Sequence, residues 1–163
     1  MAKKQLNYKD LTPKELENLK DIYIDLKVKG MTNNDLKDFA KDNRVKSLAL
    51  CDTTNLCGAL EFSEKLSKSG TQPIIGTQIN FKYSDTIGLL PLFALNETGY
   101  KRIIELSSLS FLKNDEISEP HLDFEELLKK NDGVALFSGT VFGLFGKLFN
   151  KGKLTEIKEF YTK

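Results

Sequence analysis

"SLALCDTTNLCGALEFSEKLSKSGTQPIIGTQINF", residues 47–81, holds two apolar runs separated by an amphipathic stretch. The first run belongs to "VKSLALC", residues 45–51, and reads as a strand. From Asn55 to Ser69, the residues Ala59, Leu60, Phe62 and Leu66 recur at helical spacing. Glu61 stands four residues before Lys65 on the solvent side, and Gly70 offers a left-handed stop. "PIIGTQINF", residues 73–81, is a second strand. Strand, helix and strand in this order make a βαβ unit, which predicts an α/β fold with a parallel sheet.

Working outward, the N-terminal side reads as helical. Thr12-Pro13-Lys14-Glu15 has the pattern of a capped helix start, and Leu16, Leu19, Tyr23 and Leu26 repeat until Gly30. A second short helix is expected from a Thr32 cap, with Leu36, Phe39 and Ala40 on one face and an end near Asn43. On the C-terminal side, "IGLLPLFAL", residues 87–95, is a strand in which Pro91 implies an edge or a bulge. Asn96 is expected to cap a helix that buries Tyr100, Ile103, Ile104 and Leu106, and Lys113 to Pro120 reads as a polar loop. Asp123 and Glu126 have capping-box spacing. "GVALF", residues 133–137, is expected to be a buried strand, and "SGTVFGLFG" then turns into a helix ending near Gly152. Residues 153–163 carry Ile157, Phe160 and Tyr161 on one helical side.

Bulk properties limit the function classes. A chain of 163 residues is the size of one domain. Lys plus Arg number 24 against 23 for Asp plus Glu, so no overall field draws nucleic acid or an anionic membrane to the surface. The apolar runs fall far short of the ~20 residues of a spanning helix, and Met1 to Asp10 has no signal-like stretch. A cytoplasmic protein without membrane contact is expected. Cys51 and Cys57 are six apart, which suits neither a zinc knuckle nor a redox pair, and both read as reduced core thiols.

Functional residues of parallel α/β sheets gather beyond the C-terminal ends of strands, where Asp52, Gln78 and Ser138 stand. An aspartate there is a cap or turn former unless other ligands join it. Hydrolytic metal centres need several imidazoles and carboxylates, and this chain has one histidine, His121, read as a packing residue ahead of Asp123. Ser138 lacks a base to form a nucleophilic triad. "GTVFGLFGKL", residues 139–148, departs from a phosphate loop at Val141 and Leu148. The basic clusters Lys129 with Lys130, and Lys147 with Lys151 and Lys153, read as solvated helix faces.

Three blocks then fix a resemblance: residues 47–81, "LFALNETGYKRIIELSSL", and "GVALFSGTVFGLFGKLFNKG". In order and spacing they resemble the polymerase-and-histidinol-phosphatase (PHP) domain family, in the form found at the N-terminus of bacterial replicative DNA polymerase III alpha subunits. The resemblance covers about 44–163 and leaves 1–43 as a helical segment unlike the family. It implies a partial, distorted (βα)7 barrel of PHP type. Metal-binding members place Asp-His where this chain has Asp52 and Thr53, glutamate at Gln78 and histidine at Leu89. Their opening His-x-Arg-x-His strand has no counterpart, which implies an eroded metal site with no catalytic residue, no bound metal and Asp52 as a relic.

The function implied is a scaffold or interaction module of DNA replication. Its partners would be polymerase holoenzyme subunits, including a proofreading exonuclease, and DNA would be reached only through a full-length polymerase. The palm residues that make the parent family a nucleotidyltransferase are outside this sequence. A second reading is a PHP-type phosphoesterase holding zinc or manganese with Asp52, His121 and further carboxylates. A third is a small-molecule binder whose pocket is lined by Asp52, Thr53, Asn55 and Gln78.

Overall fold

The computed structural model describes residues 31–114 and 118–160, so the helix expected from Thr12 lies outside the described residues. Helix α1, Asn33–Asp42, starts at the Thr32 cap, whose hydroxyl accepts from the Asp35 N–H at 3.3 Å while the Asp35 carboxylate accepts from the Thr32 N–H at 2.7 Å. The Thr32 hydroxyl also lies 2.7 Å from the Asp35 carboxylate, and donation from it first and from the Thr32 N–H second holds the Asp35 carboxyl below its ordinary pKa. The helix buries Ala40 and ends at Asn43 as expected.

Strand β1, Ser47–Thr53, helix α2, Ala59–Lys68, and strand β2, Gln72–Tyr83, form the βαβ unit, with β1 and β2 parallel. Helix α2 begins later than its sequence pattern implies. Thr54 takes a left-handed φ of 58°, and Asn55 closes a turn by donating to the Thr53 carbonyl and accepting from the Cys57 N–H. Ala59, Phe62 and Leu66 are buried, but Leu60 points outward and is 74% exposed.

The sheet is mixed rather than parallel. Strand β3, Thr86–Ala94, pairs antiparallel with β2, because only Ser84 and Asp85 separate Tyr83 from Thr86 and a parallel crossover needs a dozen or more residues. Ser84 has φ 56°, as a two-residue hairpin turn demands at its first position. Helix α3 is Glu97–Leu112, strand β4 is Leu122–Asp123, helix α4 is Phe124–Lys129 and strand β5 is Val134–Leu136. Helices α5, Leu144–Asn150, and α6, Leu154–Phe160, complete the described chain. The strand order is β1-β2-β3-β5, and β4 pairs parallel with β2.

Several expectations change here. Pro91 lies in an interior strand. Its carbonyl accepts from the Phe137 N–H at 2.9 Å, so its missing N–H faces the same side, just past the last β3–β5 ladder pair, where no donor is required. Strand β5 is half-buried to exposed rather than buried. Asn96 does cap α3, but the helix buries Arg102, Ile103 and Leu106 while Ile104 is 42% exposed and Tyr100 only half-buried. Arg102 is buried because its guanidinium is satisfied: Nε donates to the Lys130 carbonyl at 2.8 Å, one amino group donates to the Glu126 carbonyl, and Glu105 lies 2.8 Å away. Asp123 makes no side-chain cap bond, because Glu126 is drawn instead to Lys113 and Lys129, each at 2.6 Å.

The core lies on one face of the sheet. Strand alternation sends Ile79, Phe81 and Tyr83 of β2 and Leu90 and Leu92 of β3 to that face, against Ile103 and Leu106 of α3, Phe124 of α4, Leu144 and Leu148 of α5 and Phe160 of α6. Helix α5 sits close because Gly88 has no side chain: a Cβ there would fall 2.5 Å from the Leu144 Cα. Among the described residues, no helix is long and apolar enough to cross a membrane.

Candidate functional site

Strand β1 runs through Asp52 and Thr53, so these neighbours project to opposite faces of the sheet. The register places Thr53 beside Gln78, Gln78 opposite Pro91, and Leu89 opposite Asn80. Thr53, Gln78 and Leu89 therefore share the face away from the core. Asp52 pairs with Thr77, which is fully buried, and belongs to the core side. Its carboxylate lies over the start of α2, where a Cβ on Gly58 would meet Asp52 Oδ2 at 3.0 Å and Leu50 Cδ2 at 3.2 Å. A carboxylate there is favoured by the unpaired N–H groups of the helix start. The Thr77 hydroxyl fixes the approach by hydrogen bonding with the Asp52 and Asn55 carbonyls at 2.8 and 3.0 Å.

The four positions thus do not converge, and Gln78 and Leu89 lie within β2 and β3 rather than at strand ends, because β2 runs on to the hairpin at Ser84. On the open face, Thr53 offers a hydroxyl, Gln78 a neutral amide and Leu89 an alkyl group. Zinc and manganese take imidazoles and carboxylates, and this donor set does not fit them. Cys51 shares that face, but burial first and the Asp52 charge second push its thiol up to about 11, so it is protonated at neutral pH. Both cysteines are free. His121 stands at the head of β4 with Nδ1 2.8 Å from the Glu119 carbonyl. Among the described residues, no three of His, Cys, Asp and Glu gather as a metal cluster.

Other sequence-marked residues have local roles. Ser138 is exposed. Glycines of the rejected phosphate loop let residues 139–143 lie against β3: a Cβ on Gly143 would fall 2.9 Å from the Leu89 carbonyl. Lys147 donates to the Ile87 carbonyl at 2.9 Å, Lys151 to the Thr86 hydroxyl at 2.8 Å, and Lys153 pairs with Asp85, so these cations fasten the β2–β3 turn to α5 and the chain beyond it. These contacts draw the Asp85 carboxyl down to about 2, with the Lys153 bond as the main cause.

Two features escaped the sequence reading. Asn80 is buried on the open face, where its amide donates to Glu119 at 2.9 Å, and an asparagine inside an apolar strand was the available signal. The second is a group of lysines between α1 and α2, drawn from helices whose charges look balanced when each is read alone.

Comparison with known proteins decides the family, since the PHP domain profile matches residues 31–163, a span that takes in α1. The chain belongs to the PHP domain family. DNA polymerase III subunit alpha of Rickettsia felis is 38% identical over 119 residues, covering 72% of this chain and 10% of that protein. The Caulobacter vibrioides subunit is 33% identical over 130 residues, with 72% and 11% covered. That of Borreliella burgdorferi is 31% identical over 136 residues, with 77% and 12% covered. The chain thus spans about a tenth of the length of the curated relatives it matches. A solved Bifidobacterium adolescentis structure, named for metal-dependent phosphoesterase activity, overlaps at TM-score 0.36 and 19% identity, covering 50% of this chain and 29% of the other, a likeness too slight to argue from.

Proposed function

We propose that this PHP domain serves a DNA polymerase III alpha context in replication as a scaffold and docking module, without hydrolytic activity of its own. The fold would be a partial (βα)7 barrel in which the positions Asp52, Thr53, Gln78 and Leu89 are the remains of a metal site. Domain limits at about 44, with a distinct helical segment ahead of it, and a cytoplasmic setting belong to the same reading. Its partners would be polymerase holoenzyme subunits, among them a proofreading exonuclease.

One observation carries this reading: Thr53, Gln78 and Leu89 on the open face offer a hydroxyl, an amide and an alkyl group, while the one carboxylate among the four positions turns to the other side. Hydrolysis by a metal-bound hydroxide needs the opposite arrangement, with charged and imidazole donors converging on one ion. The test is hydrolysis of a model phosphomonoester by the purified chain in zinc or manganese, beside an Asp52→Ala variant. Equal background in both is expected. Turnover by the native chain that disappears in the variant would remove the proposal. Co-purification with holoenzyme subunits supplies the positive arm.

A further inference from the structure

Helices α1 and α2 lie side by side, tied by an Asn33 amide that donates to Glu61 at 3.0 Å. Between them runs a cleft of 440 Å³ lined by Asn34, Lys37, Lys41, Lys65, Lys68 and Ser69. Four of these six residues are cations and none is an anion, although the two helices also carry Asp35, Asp38, Asp42, Glu61 and Glu64. Asp38, Glu61 and Glu64 each reach a wall lysine from outside but do not themselves line the cleft.

A helix C-terminus favours a nearby cation, which accounts for Lys41, Lys65 and Lys68 one at a time. It does not account for their sharing one cleft with Lys37, since like charges brought together repel. Lys65 is closely paired with Glu61, and the other three have loose partners or none among the described residues. Lys37 meets Asp38 at 3.2 Å, Lys68 reaches Glu64 only at 4.0 Å, Lys65 pairs with Glu61, and Lys41 has no ion-pair partner among the described residues. Exposed pairs of this kind contribute about 0–1 kcal/mol each, so a multivalent anion can displace them.

We propose that this cleft binds a run of adjacent phosphates. Lys37 and Lys41 are one turn apart on α1, and Lys65 and Lys68 are three apart on α2, so each helix sets two lysine Cβ atoms about 5–6 Å from one another. The long, flexible lysine side chains can bring each such pair onto neighbouring phosphates of an extended strand. Ammonium groups bind phosphate as point charges without fixing its orientation, and Asn34 adds an amide donor to the walls. Two sources carry this chemistry: the backbone of a single nucleic-acid strand, and a free oligophosphate. The site lies apart from Asp52, Thr53, Gln78 and Leu89, and its fate is independent of whether those positions bind metal.

The test is a salt titration of oligothymidylate binding to the native chain, repeated with inorganic tripolyphosphate as competitor. The variants are Lys37→Gln with Lys41→Gln, Lys65→Gln with Lys68→Gln, and a control, Lys101→Gln with Lys158→Gln, on surfaces outside the cleft. With four phosphates engaged, log affinity should fall against log salt with a slope of about −2.8, from about 0.7 per phosphate on a single strand. Each cleft variant should weaken binding at least about fivefold and flatten the slope by about 1.4, with an unchanged circular dichroism spectrum, while the control keeps native affinity. Displacement by tripolyphosphate at matched phosphate concentration would assign the cleft to free oligophosphates, and resistance to it would assign the strand. Absence of binding by the native chain to both probes at low salt, or equal loss in control and cleft variants, would overturn the proposal.

Discussion

The hairpin end of strand β2 and its middle are built on different physics. At the hairpin end, Phe81 and Tyr83 join Phe124 and Phe160 in edge-to-face contacts with ring centroids 5.8 to 6.2 Å apart, and Phe145 closes on Phe160 at 4.3 Å. These rings are buried, and they bring α4, α5 and α6 onto one strand. In the middle of the strand, Gln78 sits beside Thr53 on an open face, and the neighbouring turn is held by hydrogen bonds within residues 53–57 and by backbone groups and the Thr77 hydroxyl of β2. The fold therefore depends on the aromatic end, and the open-face side chains in the middle of the strand are freer to change. Different donors at Thr53, Gln78 and Leu89 need not unfold the domain, because these side chains are not part of its core.

Breaking the hairpin end should have the largest effect. Phe124→Ala removes a ring that touches three others and should cost about 3–5 kcal/mol in chemical denaturation. A cost under about 1 kcal/mol would mean that the aromatic cluster is not where the stability lies. Arg102→Leu comes next. It leaves the Lys130 and Glu126 carbonyls without their buried donor, and a loss of about 1–3 kcal/mol is expected from the unsatisfied groups.

Acid should probe the ion pairs that fasten the edges. Asp85 and Glu126 both have carboxyl pKa values lowered to about 2, chiefly by bonds to Lys153 and to Lys113 respectively. Each releases its proton more readily folded than unfolded, so the stabilisation is fully present above the ordinary carboxylate pKa of about 4 and fades as pH falls toward 2. Thermal melts across that window should show a falling midpoint, and Glu126→Gln should make the fall shallower. The smallest effect is expected at the turn after β1. Thr54→Gly relieves a left-handed β-branched residue and should leave stability within about 1 kcal/mol of native, on the favourable side. A large loss there would show that the turn after β1 supports the fold as much as the aromatic end does.

What the sequence made legible follows from which interactions are local. The βαβ unit was readable because a strand, a helix face and a stop glycine each leave their own periodicity in "SLALCDTTNLCGALEFSEKLSKSGTQPIIGTQINF". The Thr32 and Asn96 caps were readable for the same reason. The antiparallel β2–β3 hairpin was missed because Ser84 and Asp85 are not the residues usually found in so tight a turn. Arg102 was missed because its burial depends on carbonyls more than twenty residues away, which no helical pattern reveals. Pro91 misled because an interior strand can host proline where the neighbouring ladder has already ended. At the candidate site, the identities of the four residues were plain in the sequence. Their division between two faces, with Asp52 toward α2 and the others opposite, needed the register.

The central claim is that Thr53, Gln78 and Leu89 share one face of the sheet without the donors a metal ion needs. Calorimetric titration of zinc into the native chain and into a Thr53→His, Gln78→Glu, Leu89→His variant tests it most directly, since the three positions share one face. The account predicts no stoichiometric binding by the native chain and about one equivalent by the variant. One equivalent bound by the native chain and lost in Asp52→Ala, or a folded variant that binds none, would contradict it.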